Sequence, residues 1–161
     1  MKSNVIKKIS NKRGLFIKFF EKIKILKNFE INQVCLSETK KRGTIRGLHF
    51  QKYPFYDDKI VTCIKGKIFD VCVDIRKNSP NYLKCKYKIL NGKKFDSVLI
   101  KKGFAHGFQT LEDDSIIVYC INGIYKKKKQ SGILWNDPKL NIQWPLKLTN
   151  ISVKDKKFKF L

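Results

Sequence analysis

The sequence predicts an all-β protein, built as a β-sandwich or a barrel. Short apolar runs with strand character recur from about residue 30 onward, and turn signals separate them at intervals of roughly 10–20 residues. The strand-like runs are KIVTCIKGKIFDVCVDI (59–75), YLKCKYKIL (82–90), DSVLIKK (96–102) and DSIIVYCINGIY (114–125). The turn signals are NSPN (78–81), NGKK (91–94) and EDD (112–114). Strands at this spacing favour a sandwich or barrel over alternating β–α–β units.

Three stretches refine this prediction. In KIFDVCVDI (67–75), apolar residues alternate imperfectly with Asp70 and Asp74, as expected of a strand that is buried on one face only. The stretch FFEKIKILKNF (19–29) is the only one that could form a helix, and a short one. The basic run YKKKKQ (125–130) predicts an exposed loop.

The length of the chain predicts one domain. With 161 residues and no internal repeat or Pro/Gly/Ser-rich linker, a single domain over residues 1–161 with a real core is expected. No apolar run approaches the roughly 18–20 residues that a membrane helix needs. The N-terminus, MKSNVIKKISNKRGLF, lacks the continuous apolar segment of a signal peptide. We therefore expect a cytoplasmic protein that does not bind membranes.

The chain carries a net charge of +23, from 36 basic and 13 acidic residues. Such a charge is compatible with nucleic-acid binding, because cationic surfaces gain affinity by releasing counterions from phosphates. Only four of the basic residues are arginines, however, and the lysines are spread through every segment. Nucleic-acid readers favour arginine for its planar fork and its stacking. The charge therefore predicts a lysine-rich solvated surface rather than a nucleic-acid partner.

Both histidines of the chain lie close to glycines: His49 follows Gly43 and Gly47 in GTIRGLHFQ (43–51), and His106 lies between Gly103 and Gly107 in KKGFAHGFQ (101–109). Glycine permits tight turns and the close approach of two backbones. Inward-facing residues of a barrel meet at its mouth, where ligands bind. Arg46 precedes His49 by three residues, so an anion or carbonyl held by the guanidinium could lie beside an imidazole base. The alternative for each histidine is a satisfied core residue without chemistry.

A metal site is not expected. The arrangement of GTIRGLH before KGFAH is similar to the two-part cupin pattern, but metal-binding cupins have a second histidine two positions after the first. Here that position is Gln51, and two histidines cannot supply a set of three. The five cysteines, at positions 35, 63, 72, 85 and 120, include no CxxC pair. Their odd number and spacing predict reduced, buried thiols rather than disulfides or a zinc site.

Seven stretches that span nearly the whole chain closely resemble the dTDP-4-dehydrorhamnose 3,5-epimerase family, which are metal-free cupins of nucleotide-sugar metabolism. They are KRGLF (12–16), RGLHFQ (46–51), KIVTCIKGKIFDVCVDIRKNSP (59–80), KGFAHGFQTL (102–111), VYCINGIY (118–125), GILWNDPKLNIQWP (132–145) and SVKD (152–155). The order of RGLHFQ, GFAHGF and WNDPxxxIxWP is a specific combination. The resemblance implies an all-β cupin fold, which is a double-stranded β-helix or jelly-roll barrel with short peripheral helices.

The resemblance further implies epimerisation without a metal or a redox cofactor. The substrate would be a dTDP-linked 4-keto-6-deoxyhexose, whose 4-keto group makes the protons at C3 and C5 acidic. The family's base matches His49, the aspartate that orients it matches Asp155, and the acid on the opposite face of the sugar matches Tyr119. Without the resemblance, Tyr119 would be interpreted as a packing aromatic and Asp155 as a solvated charge in a basic tail.

Substrate-binding positions of the family also have counterparts in this chain. The family residues around the sugar and the developing enolate oxygen match Arg46, Lys59 and His106. The family residues that contact the nucleotide match Arg13, Phe16, Gln33 and Tyr125. In the family, the segment that matches Arg13 and Phe16 is usually contributed by the neighbouring subunit. A homodimer is therefore implied.

The chain departs from the family pattern at four positions. Lys18, Asn11 and Cys35 stand where the family usually has Glu, Asp and Asn, and Lys101 replaces a proline. These departures cluster at the nucleotide end, so they bear on the nucleotide more than on the acid–base chemistry.

Two alternatives remain open. One is a related epimerase that acts at a single carbon, C3 or C5, or on another nucleotide-linked 4-keto sugar. The other is a non-catalytic basic module that binds sugar nucleotides or nucleic acid. Such a module would have no need for His49, Tyr119 and Asp155 together.

Overall fold

The computed structural model describes residues 2–3, 6–21 and 28–161. The strands in these residues are β1 (Lys2–Ser3), β2 (Lys7–Asn11), β3 (Gly14–Lys18), β4 (Gln33–Thr39), β5 (Thr44–Gln51), β6 (Lys59–Lys65), β7 (Lys67–Asp74), β8 (Cys85–Asn91), β9 (Ser97–Ile100), β10 (Phe104–Thr110), β11 (Ser115–Ile121), β12 (Gln130–Gly132) and β13 (Asn150–Ile151). The helices are short: α1 (Val153–Lys156) and two 3-10 turns, Gly92–Lys94 and Lys127–Lys129. The predicted all-β class is confirmed.

Two sheets make up the body of the molecule. One has the order β1-β9-β6-β11-β4, and the other has the order β12-β5-β10-β7-β8, with β13 running parallel to β5. Apolar side chains from both sheets form a shared core: Val61, Cys63, Ile68, Cys72, Leu90, Val98, Ile100, Phe108 and Ile117. Strands β2 and β3 form a separate hairpin. A cavity lies between the two sheets, beyond this core.

The second sheet is covered on its outer face as well. Leu48, Val71, Val73 and Ala105 pack there against apolar residues of the segment 133–142. Strand β7 is therefore buried on both faces, and the prediction of a half-buried strand is wrong. Asp70 and Asp74, expected on a solvated face, are 0% and 1% exposed.

Other local predictions have mixed outcomes. The run 59–75 forms two strands, which are separated at Gly66. Of the possible helix over 19–29, residues 22–27 lie outside the described residues, and the flanking residues form a bend and a turn. The loop 125–130 is largely exposed but contains the turn Lys127–Lys129. No helix in the described ranges is both long and apolar enough to cross a membrane.

The cysteines agree with the prediction in oxidation state but not in burial. All five are free thiols. Cys63, Cys72 and Cys120 are buried, whereas Cys35 is exposed and Cys85 is half-buried. Cys35 is exposed because it lies on β4, which is the edge strand of its sheet.

Candidate active site

A register shift between β5 and β10 directs the site residues inward. His106 pairs with His49, but Phe108 pairs with Arg46, so β5 contains one extra residue between these pairs. Residues three apart on a regular strand face opposite sides, whereas a bulge lets Arg46 and His49 face the same cavity. Gly47 lies in the bulge with φ +108°, and a Cβ there would lie 2.6 Å from the carbonyl oxygen of His106. The glycine beside His49 is therefore required by the backbone.

The cavity has a volume of about 240 Å³ and opens to solvent between the two sheets. Six of the residues singled out from the sequence line it: Arg46, His49, Lys59, His106, Tyr119 and Tyr125. His49 belongs to one sheet and Tyr119 to the other, so the imidazole and the phenol approach the cavity from different walls. Further lining residues were not predicted as site residues: Ser37, Phe50, Gln51, Asp57, Phe108, Ile121 and Gln130.

His49 is held by a carboxylate from the C-terminal segment. Its Nε2 lies 2.8 Å from Oδ1 of Asp155, and the backbone N–H of Gly47 donates to the other carboxylate oxygen at 3.0 Å. Ser152 caps α1 by accepting a hydrogen bond from the Asp155 N–H, which fixes this short helix against β5. Burial alone would raise the pKa of Asp155, but the hydrogen bond from His49 and the Gly47 N–H together hold that pKa below its usual value. Asp155 is therefore a buried, charged partner of His49.

His106 forms a second pair of the same kind. Its Nε2 lies 2.7 Å from Oδ2 of Asp70 on the neighbouring strand β7. Both side chains are buried, at 6% and 0% exposed. The other carboxylate oxygen of Asp70 is buried without a hydrogen-bond partner among the described residues.

Tyr119 lies on β11 with its ring edge-to-face with His106, at 6.5 Å between ring centroids. Burial raises the pKa of the Tyr119 hydroxyl, the negative charge of Asp70 raises it further, and Arg46 opposes this change. At neutral pH the phenol therefore carries its proton, which it could deliver to a carbanion-like centre.

The cations of the cavity are held by residues of β4 and of the loop before β6. Arg46 donates from Nε to the hydroxyl of Thr39 and from Nη2 to the carbonyl oxygen of Glu38, both at 2.9 Å. These bonds use two of its five N–H donors, so the other three can bind an anion. The ammonium group of Lys59 lies 3.6 Å from a carboxylate oxygen of Asp57 and is largely buried.

Glutamines shape the mouth of the cavity. Gln51 donates to the carbonyl oxygens of Phe55 and Ile124 and accepts a hydrogen bond from the Lys126 N–H, so it ties together two loops. The Tyr125 hydroxyl donates to Oε1 of Gln130 at 2.8 Å. Gln51, which replaces the second histidine of the metal-cupin pattern, thus has a structural task.

Three of the predicted binding residues lie outside the cavity. Gln33 donates to the carbonyl oxygen of Gly123 at 2.8 Å and does not line the cavity. Arg13 and Phe16 lie on the β2–β3 hairpin, where both are exposed and line a separate shallow groove. Within one subunit, therefore, Arg13 and Phe16 do not contribute to the cavity.

Asp70 is the main residue near the site that the sequence did not indicate. The sequence predicts a solvated face for Asp70, whereas in the structure the segment 133–142 covers the face of Val71 and Val73, and Asp70 shares the inward face with Cys72. The sequence contained one signal for this: Asp70 and Cys72 are two residues apart, so both lie on the same face of the strand. No group of three or more potential metal ligands occurs among the described residues.

A sequence model of the family described as dTDP-4-dehydrorhamnose 3,5-epimerase matches residues 3–161. The chain belongs to the dTDP-4-dehydrorhamnose 3,5-epimerase family. Proteins with this name are epimerases, a class of isomerase, so the resemblance noted from the motifs is confirmed.

Members of this family support the assignment at the level of sequence and fold. An epimerase from Shigella flexneri is 43% identical over 114 residues, which cover 71% of this chain and 63% of that protein. The crystal structure of an epimerase from Bacillus anthracis with TDP and pyrophosphate bound has a TM-score of 0.92 and 36% identity, covering 99% and 93% of the two chains. An epimerase from Legionella pneumophila in complex with dTDP-4-keto-L-rhamnose has a TM-score of 0.90 and 31% identity, covering 98% and 86%. The predicted cupin fold is confirmed by these structures.

The departures from the family pattern have local partners in this chain. Lys18 forms an ion pair with Glu21 at 2.8 Å, and Oδ1 of Asn11 accepts a hydrogen bond from the Arg13 N–H. Cys35 lies opposite Tyr119 in the register of β4 and β11. Asn11 and Lys18 lie on the β2–β3 hairpin, whereas Cys35 is paired with a residue of the cavity wall.

Proposed function

We propose that the chain catalyses the cofactor-independent epimerisation of dTDP-4-dehydro-6-deoxy-D-glucose at C3 and C5, giving dTDP-4-dehydro-L-rhamnose. The observation that carries this proposal is the placement of a carboxylate-bound imidazole and a half-buried phenol on different walls of one cavity. Inversion of a carbon requires a base on one face and a proton donor on the other. His49 and Tyr119 meet this requirement.

The reaction follows from the acidity next to a carbonyl group. His49 takes the proton from C3 or C5, and the electron pair of the broken C–H bond moves into an enolate whose charge lies on the C4 oxygen. Tyr119 then donates its proton to the same carbon from the other face, which inverts that centre. His49 afterwards releases its proton and Tyr119 regains one through solvent, so the enzyme is unchanged. No electron leaves the sugar, so no oxidant or reductant is consumed.

Stabilisation of the enolate falls to the cations and donors between the two walls. Arg46, Lys59 and His106 line the same cavity as the acid and the base. Fixed donors aimed at a charge that develops only in the transition state typically lower the barrier more than any other single contribution. Asp155 acts through His49, because its carboxylate holds the imidazole in one orientation and one tautomer.

The experiment is an incubation with the dTDP-linked 4-keto sugar in D2O, with EDTA present. The proposal predicts dTDP-4-dehydro-L-rhamnose with one deuteron at C3 and one at C5, at a rate that EDTA does not change. Inversion at one carbon alone would assign the chain to the single-carbon epimerases. Binding of the sugar without deuterium incorporation would favour a non-catalytic module.

We further propose a homodimer in which the β2–β3 hairpin completes the neighbour's site. This is supported by the exposure of Arg13 and Phe16 on a hairpin away from the cavity of their own subunit. Mixing two weakly active variants, Arg13→Ala and His49→Asn, tests the idea. If the hairpin acts across the dimer, the mixed dimer contains one complete site and activity returns. Activity that stays at the level of the separate variants, or a monomer in sedimentation, would contradict it.

A further inference from the structure

Asp57 is the one acidic side chain that lines the cavity among the described residues. It lies in the loop between β5 and β6, and its side chain is 13% exposed. It takes no part in the proton transfers proposed above. A carboxylate in a cavity for a diphosphate-linked substrate repels the diphosphate, so its presence there requires another reason.

The carboxylate oxygens of Asp57 are available to a ligand. Oδ2 lies 3.6 Å from Nζ of Lys59, which is an ion pair but is too long for a hydrogen bond. In the part of the chain that the structure describes, no N–H or O–H group donates a hydrogen bond to either oxygen. The amides of Gln51 and Gln130, by contrast, already have hydrogen-bond partners. A carboxylate accepts up to about four hydrogen bonds, so Asp57 can bind hydroxyl groups in the cavity.

Asp57 lies toward the predicted nucleotide end of the cavity. A Cβ added at Gly123 would lie 2.4 Å from the Cβ of Asp57, so Asp57 packs against the segment that follows β11. Gln33 donates to the carbonyl oxygen of Gly123, and the same segment continues to Tyr125. Gln33 and Tyr125 are the residues for which the family resemblance implies a contact with the nucleotide. Asp57 is therefore close to the place where the sugar would join the diphosphate.

The chemistry of the substrate decides which hydroxyl group a carboxylate at this place would bind. A 4-keto-6-deoxyhexose linked through C1 has hydroxyl groups at C2 and C3 only. The hydroxyl group at C3 changes face when C3 is inverted, whereas the one at C2 stays in place throughout the reaction. C2 is also the neighbour of C1, which carries the nucleotide. The hydroxyl group at C2 is therefore the one that a fixed acceptor at the nucleotide end can hold from substrate to product.

We propose that Asp57 is a specificity-determining residue that accepts a hydrogen bond from the C2 hydroxyl group of the sugar and so selects sugars that carry it over 2-deoxy sugars. This inference rests on the proposed function for the class of its substrate. The bond is made equally before and during proton transfer, because C2 does not react. Asp57 therefore contributes to binding and leaves the chemical step unchanged.

The test compares two ligands that differ only at C2, dTDP-D-glucose and dTDP-2-deoxy-D-glucose. Neither has the 4-keto group, so both can be titrated by calorimetry without reaction. The variants are Asp57→Ala, which removes the acceptor, and Asp57→Asn, which keeps an uncharged acceptor. The matched control is Asp58→Asn: its carboxylate is also 13% exposed, but it binds Lys101 and the Lys102 N–H and does not line the cavity.

The wild-type protein should bind the 2-hydroxy ligand about 10- to 100-fold more tightly than the 2-deoxy ligand, as expected for a hydrogen bond to a charged acceptor. Asp57→Ala should bind the two ligands within about twofold of each other, and Asp57→Asn should lie between. Asp58→Asn should keep the wild-type ratio. If Asp57 only balanced the charge of Lys59, its removal would change both affinities alike, and that result would overturn the proposal.

Equal affinity of the wild-type protein for the two ligands would also overturn the proposal, even if Asp57→Ala failed to fold. With the dTDP-linked 4-keto sugar, Asp57→Ala should raise KM about 10- to 100-fold and leave kcat within a few-fold of wild type. A fall in kcat at unchanged KM would contradict the role in binding. A wild-type protein that selects the 2-hydroxy ligand but does not turn over the 4-keto sugar would count against the proposed function and not against this role of Asp57.

Discussion

The two histidine–aspartate pairs make the same contact in different surroundings. In each, Nε2 of the histidine meets a carboxylate oxygen, at 2.8 Å for His49 with Asp155 and at 2.7 Å for His106 with Asp70. The side chain of His49 is 31% exposed, whereas that of His106 is 6% exposed. The first pair is also supported by a backbone N–H, and the second is not.

This difference indicates how one chemical motif can serve two roles. An imidazole that exchanges protons with a substrate needs access to it, and His49 is the more exposed of the two histidines. An imidazole that only stabilises a developing charge needs burial and a fixed orientation. We therefore assign proton transfer to the His49 pair and charge stabilisation to the His106 pair.

The largest effect is expected from His49→Asn. Removal of the base should lower turnover by about 10²–10⁴ while the fold is kept, because asparagine is smaller than histidine and fits the space. Steady-state kinetics together with circular dichroism check this. Near-normal turnover in the folded variant would remove His49 from its role.

Tyr119→Phe should slow inversion by a similar factor but should leave proton removal in place. His49 can still take a proton and return it to the same face, so deuterium should enter the starting sugar faster than the product forms. NMR of the recovered sugar distinguishes these outcomes at C3 and C5 separately. Inversion of both centres at the wild-type rate would reduce Tyr119 to a packing aromatic.

Asp155→Asn should cost less, roughly ten- to a hundredfold in kcat, because Asp155 orients the base and does not contact the sugar. The neighbouring exposed Lys156→Gln, in the same short helix, is the control and should retain full turnover. A loss in Asp155→Asn as large as that in His49→Asn would indicate that the aspartate takes part in proton transfer itself.

The smallest effect concerns stability in acid. Arg76 beside Asp74 holds the pKa of that carboxyl at about 2. The pKa of Asp155 is also lowered, because the hydrogen bond from His49 outweighs the opposite effect of burial. A carboxyl group whose pKa is lower in the folded than in the unfolded state stabilises the fold at pH values above its unfolded pKa, which is near ~4. This stability is lost as the pH falls toward the pKa of the folded state. The free energy of unfolding should therefore decline below about pH 4. Urea titrations at several pH values should show a shallower decline in Asp74→Asn, and a decline identical to wild type would contradict this.

Much of the fold could be predicted from local patterns. The strands β6, β7, β9 and β11 lie within predicted runs, because apolar and β-branched residues bounded by turns form strands in most contexts. The β2–β3 hairpin was not predicted, because its strand residues are exposed or half-buried and show no regular alternation of apolar and polar side chains. The double burial of β7 was missed because it depends on a segment more than fifty residues away in sequence.

The site likewise contains features that the sequence could predict and features that it could not. The glycines near the two histidines predicted that two backbones approach closely, and in the structure Gly47 lies close to the backbone carbonyl of His106. Asp155 could be proposed only through the family resemblance, since its partner lies 106 residues away. Asp70 had no such support, and its role depends on a contact that appears only when β7 and β10 pair.

The central claim is that the two histidines have different tasks, and the same substitution at both tests it most directly. His49→Asn and His106→Asn are incubated with the dTDP-linked 4-keto sugar in D2O, and deuterium at C3 and C5 of the recovered sugar is measured by NMR. We expect no exchange above the enzyme-free rate in His49→Asn, because no base remains to form the enolate. In His106→Asn, exchange should be slowed by roughly 10²–10³ but still depend on the enzyme, because the base is present and only a donor is lost. Enzyme-dependent exchange in His49→Asn, or its complete loss in His106→Asn alone, would contradict the assignment.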